Sequence, residues 1–139
     1  MYGNERLPRI EISESYRAYE GSIWRGYPEA TWFKVVKVNG EVKRGTIVKE
    51  SSGVYSPFTV EDIVSSVTGL PGARLGIVAD KKATGTTENS ATVLIGIQGQ
   101  VDKSKIFVGE TAFTELTDEQ KINLNTQLEA WNFQLVDVM

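Results

Sequence analysis

The sequence predicts a small, β-rich α+β domain: a mixed β-sandwich or barrel-like body with a C-terminal helix and a final strand, preceded by an extended N-terminal arm. Three observations lead there. Short runs of β-branched and aromatic residues, punctuated by Gly, Asn, Ser and Pro, recur from Trp32 to Val108. The clearest helix signal stands near the end, from Thr117 to Trp131. Composition changes near residue 32, dividing the 139 residues into an arm (1–31) and a globular domain (32–139).

The arm holds four arginines (Arg6, Arg9, Arg17, Arg25), no lysine and five large aromatics (Tyr2, Tyr16, Tyr19, Trp24, Tyr27). The other 108 residues hold nine lysines and only Arg44 and Arg74. Arginine with tyrosine and tryptophan is the composition of a protein interface, where lysine is depleted. A guanidinium is planar and weakly hydrated, so it tolerates burial against a partner. Arg9-Ile10-Glu11-Ile12-Ser13 alternates as a short half-buried strand does, and such a strand can add to a partner's sheet edge. The candidate binding residues are therefore Arg6, Arg9, Ile10, Ile12, Tyr16, Arg17, Tyr19, Trp24, Arg25 and Tyr27. The bland alternative is that these rings pack on the arm's own domain.

In the globular domain, Trp32–Val38 reads as a strand and Asn39-Gly40 as a hairpin turn. Thr46–Val48 reads as a strand closing at Ser51-Ser52-Gly53, and Val54-Tyr55 as one stopped by Pro57. Val60, Ile63, Val64 and Val67 share one helical face, which predicts a short helix over Thr59–Gly69, capped by Thr59. Leu75–Ala79 is a short apolar strand, and residues 81–90 a polar loop. Ala91–Ile97 is nearly all apolar, so it should be a strand covered on both faces, broken at Gly99. Ile106–Val108 resumes the apolar run after an exposed turn at Asp102–Lys105.

Thr117-Asp118-Glu119-Gln120 is a capping box. Leu124, Leu128 and Trp131 fall at i, i+4, i+7 as a core stripe, and Asn132 is placed for a left-handed C-terminal cap. Phe133–Val138 then forms the last strand.

The chain carries a net charge of −3 and a sequence pI near 5.1, which argues against attachment to nucleic acid or an acidic membrane by bulk charge. No apolar run is long enough to span a bilayer. Met1–Arg6 lacks the basic start and apolar run of a secretory signal, so none is expected. With no cysteine and no histidine, there is no disulfide, thiol nucleophile or imidazole base. Neither Glu61-Asp62 nor Asp118-Glu119 clamps a single substrate atom, because adjacent helical residues point in different directions. Ser104-x-Lys lacks the spacing of serine acyl-enzymes, and Gly69-Leu70-Pro71-Gly72 is not a phosphate loop. The expectation is a binding protein, not an enzyme, with no cofactor and no metal. Trp24 and Trp32 with Tyr27 also suit a platform for sugar or peptide.

Several segments occur in a family-like order: Lys43-Arg44-Gly45-Thr46-Ile47-Val48, Gly53-Val54-Tyr55-Ser56-Pro57, Leu75-Gly76-Ile77-Val78-Ala79-Asp80, and Thr92-Val93-Leu94-Ile95 with Gly99-Gln100-Val101. In order and spacing this resembles the head decoration proteins of tailed bacteriophages, the lambda head protein D type, over residues 42–138. The resemblance implies a virion structural protein made in the host cytoplasm. It would act as a homotrimer that docks on the outside of the expanded head, its arm ordering against the major capsid protein. The base domain of a head fibre is a related possibility. The present arm is long and rich in aromatics, whereas the family's arms are richer in Ala, Thr and Pro.

Overall fold

A computed structural model describes residues 24–25, 32–64, 72–80, 82–86 and 88–136. The strands are β1 (Trp24–Arg25), β2 (Trp32–Val38), β3 (Gly40–Lys43), β4 (Ile47–Ser51), β5 (Val54–Pro57), β6 (Leu75–Val78), β7 (Lys82–Gly85), β8 (Ala91–Asp102), β9 (Phe107–Val108), β10 (Thr111–Ala112) and β11 (Phe133–Val136). Among the described residues there is one α-helix, α1, spanning Asp118–Glu129.

β8 organises the fold. Its first half pairs antiparallel with β2 on one side and with β6 on the other. β6 pairs with β4, β4 with β5, and β5 meets β2 in parallel at Val38↔Tyr55. The circuit β8-β2-β5-β4-β6 thus closes on itself as a barrel. The second half of β8 leaves the barrel. There β11 runs parallel to it from Phe133↔Gly99 to Val136↔Asp102, and β1 pairs antiparallel through Trp24↔Val101.

Two apolar clusters share the barrel wall. Val36, Val38, Val48, Tyr55, Val78, Val93 and Ile95 belong to one. Ile47, Leu75, Ile77, Val101, Ile106, Leu124, Leu128 and Phe133 belong to the other, on the side of α1. Successive strand residues point to opposite faces, so neighbours Ile47 and Val48, and likewise Ile77 and Val78, go to different clusters. All four residues of β6 are buried for this reason.

The local signals of the sequence reappear. The Thr117 N–H donates to Gln120 Oε1 (2.9 Å) and the Gln120 N–H to Thr117 Oγ1 (3.2 Å), completing the capping box. Leu124 and Leu128 are fully buried and Trp131 packs beside them. Asn132 has φ of 68°, and β11 follows at once. Ser52 (φ 52°) and Gly53 (φ 84°) form the two-residue turn between β4 and β5, where a glycine meets the second positive φ without a Cβ clash.

Several expectations need correction. Asn39-Gly40 does not make a hairpin: β3 pairs with β7, not with β2. The Asn39 N–H is held by the Tyr55 carbonyl (2.8 Å), and the chain passes there from the barrel to a separate ribbon. Lys82–Gly85 is the other strand of that ribbon, not a loop; main-chain pairing with β3 holds it, and Ala83, opposite buried Val42, packs against the core while Lys82 and Thr84 stay exposed. Among Thr59–Val64, only Val60–Asp62 turns, and as a single 3-10 turn. The Val64 N–H, which an α-helix would direct at Val60, goes to Gln127 Oε1 (3.0 Å), and Ile63 is extended (φ −74°, ψ 118°). Thr59 is the N-cap of that turn, but its hydroxyl accepts no backbone N–H; instead its N–H and hydroxyl both donate to Asp62 Oδ2. Gly99 does not break β8, which runs for 12 residues, but it marks where the strand changes partners. The Asp102–Lys105 turn starts from a buried residue, since Asp102 is 2% exposed and accepts from Ser104 N–H and hydroxyl.

Candidate binding surface

β8 is not covered on both faces, and that correction locates the site. Thr92 is exposed and Leu94 half-buried, while Val93 and Ile95 point inward. β2 lies alongside with the same imbalance. Val36 and Val38 are buried, whereas Trp32, Phe33 and Val35 are 56%, 37% and 62% exposed. The physical cause is that α1 and its cluster take residues from β4 and β6, and none from β2.

Phe33 and Val35, two residues apart, share the outer face of β2. Val35 stands opposite Leu94, and Phe33 opposite Gly96. A register shift between Trp32 and Phe33 brings Trp32 opposite Gln98. Large apolar side chains clustered on a surface strand mark an interaction surface more often than isolated ones do. The strip is bordered by exposed Lys34 and Lys37. Ile122, the other large apolar residue exposed among the described residues, belongs to α1.

Of the arm residues singled out in the sequence, Trp24 and Arg25 form β1, with Trp24 at Val101 and Arg25 at Gln100 of β8. Arg6, Arg9, Ile10, Ile12, Tyr16, Arg17, Tyr19 and Tyr27 lie outside the described residues. Phe33 and Val35 were not singled out. Their strand was legible, but period-two alternation does not say which face a distant helix will leave bare.

The polar clusters of the described residues have structural duties. Lys49 Nζ meets Asp62 Oδ1 at 2.7 Å. Gln127, nearly buried, donates to the Asp62 carbonyl (3.2 Å) and accepts from Val64, so it locks α1 to the turn after β5. Asp80 Oδ2 accepts the Leu94 N–H at 2.7 Å, and Arg44 Nε donates to the Ala79 carbonyl at 3.1 Å. The Arg74 guanidinium stacks on Trp131, 4.7 Å from the ring centre, a cation–π contact. No group of three or more Asp, Glu, His or Cys suited to a metal ion occurs among the described residues. No described helix is long and apolar enough to cross a membrane. In comparisons with known proteins, no family model matches the chain and no curated protein matches it.

Proposed function

We propose that this chain is a capsid decoration protein of a tailed bacteriophage: a non-enzymatic trimer that attaches to the outside of the expanded head and reinforces it. The observation that carries the reading is the solvent-exposed apolar strip of Trp32, Phe33 and Val35. It begins at the residue after the Arg- and aromatic-rich arm ends, so arm and strip are consecutive in the chain. Together they supply the aromatic and arginine anchors that dominate protein–protein hot spots. The ordered resemblance of residues 42–138 to phage head decoration proteins supports the same reading, as does the lack of a histidine or cysteine for catalysis.

Co-sedimentation with empty expanded capsids of the encoding phage tests it. Full-length protein is expected to pellet with capsids and to elute as a trimer by size exclusion with light scattering. Deletion of residues 1–28 is expected to abolish attachment. Trp32→Ser with Val35→Ser should weaken it by at least about tenfold, the effect of one hot-spot contact. A monomer that ignores capsids and is retained on an immobilised glycan would overturn the proposal in favour of a sugar-recognition module.

A further inference from the structure

β2 carries an open backbone edge. Leu94, opposite Val35, directs its carbonyl to the Ala79 N–H (2.9 Å) and its own N–H to Asp80 Oδ2 (2.7 Å). Both Leu94 groups therefore point away from β2, and Val35↔Leu94 is a non-hydrogen-bonded pair of the antiparallel ladder. In such a pair the N–H and C=O of both residues face outward. The Val35 N–H and C=O thus point to the side where β5 would continue the barrel. β5 does not reach them: it touches β2 only at Val38↔Tyr55, and the chain turns back at Ser52-Gly53. Among the described residues, neither Val35 group has a partner.

The space beside this edge is a groove of about 390 Å³ lined by Lys34, Val35, Lys37, Glu50, Gly53 and Tyr55. The Tyr55 hydroxyl is buried, with no hydrogen-bond partner among the described residues. An unpaired edge, a groove beside it and an exposed β-branched side chain are the elements of strand addition.

We infer that β2 is a strand acceptor: an extended segment of a partner protein, alternating apolar and acidic residues, adds to its free edge at Val35. The charge pattern chooses that chemistry. Exposed Lys34 and Lys37 flank Val35 on the edge itself, while Glu50 is the sole acid among the residues lining the groove. An acid on the added strand opposite Lys34, next to an apolar side chain opposite Val35, satisfies both. The inference takes the chain as a binding protein but does not require the partner to be a capsid. Capsid co-sedimentation and the edge experiment can therefore fail independently.

The probe is a capped heptapeptide of alternating valine and glutamate, added to isotope-labelled full-length protein and followed by amide hydrogen exchange. At saturation, exchange of the Val35 and Lys37 amides is expected to slow by roughly tenfold or more. The same peptide N-methylated along one edge, or with lysine for glutamate, should bind at least about tenfold more weakly. Lys34→Glu with Lys37→Glu, both at exposed positions, should reverse the preference towards the lysine peptide. The inference is overturned if the glutamate peptide leaves the Val35 amide unchanged. It is equally overturned if that amide is already protected in the free protein, whether by its own chain or by a second copy.

Discussion

Lys49 Nζ lies 2.7 Å from Asp62 Oδ1, so a single ion pair ties the middle of β4 to the turn that follows β5. Burial alone would raise the Asp62 pKa. The Lys49 ammonium and the N–H and hydroxyl of Thr59 outweigh burial and hold it below the usual carboxylate range. A carboxyl lowered in the fold stabilises it at every pH above its unfolded value, about 3.9. That contribution is lost as pH falls from there through the folded value. Asp62→Asn should therefore destabilise the protein at pH 6 more than at pH 3. Denaturant midpoints at the two pH values check this, and an equal deficit at both would show that the charge plays no part.

Tyr55 presents the opposite case. Burial pushes its phenol pKa up, and nearby Glu50 adds to the shift. Among the described residues the hydroxyl has no hydrogen bond to offset its desolvation, a penalty on the order of 1–3 kcal/mol. Tyr55→Phe should leave the free protein as stable or more stable, by up to about 1 kcal/mol. A phenol raised in the fold contributes stability fully below its unfolded pKa, and this is lost as pH rises through about 10 and beyond. The Phe variant should therefore lose less stability above pH 10 than the parent in urea melts. Clear destabilisation at neutral pH would mean that the hydroxyl has a partner in solution.

The C-terminal helix rests on a cap and a stripe. Thr117→Ala frees the Gln120 N–H at an exposed position, a loss of about 1 kcal/mol. Leu128→Ala opens a cavity at a fully buried site, at about 2–5 kcal/mol. Chemical denaturation should rank Leu128→Ala the worse of the two by more than about 1 kcal/mol. The reverse order would remove Leu128 from the core.

Gly85 ends β7 where the barrel and the ribbon meet. A Cβ there would collide with the Val38 carbonyl oxygen and stand 2.6 Å from the Ala91 N. Backbone on both sides leaves no flexible side chain to yield. Gly85→Ala should cost about 1–3 kcal/mol or more, whereas Gly53→Ala meets open space and carries only the strain of its positive φ. Comparing the two variants by thermal melting separates crowding from backbone conformation. A smaller loss at Gly85 would show that the ribbon moves aside.

The sequence by itself determined what few consecutive residues can enforce. The Thr117–Gln120 capping box, the Leu124/Leu128 stripe, the left-handed Asn132 and the turn at Gly53 were all legible, because each depends on contacts within about one turn of chain. The class of the fold followed from the spacing of such signals. Tertiary structure alone decided which strands pair. Asn39-Gly40 has every local qualification for a hairpin, yet β3 joins β7, since the Asn39 N–H is held by Tyr55 and the end of β2 is paired with β8 and β5. Gln127, over sixty residues away, takes the Val64 N–H that a helix would have used. The candidate surface divides in the same way: a β2 strand was readable from its β-branched and aromatic residues, but its bareness was not. Whether Val35 is core or surface depends on where α1 packs, and pairing and coverage between distant segments are long-range free energies that no local window of sequence contains.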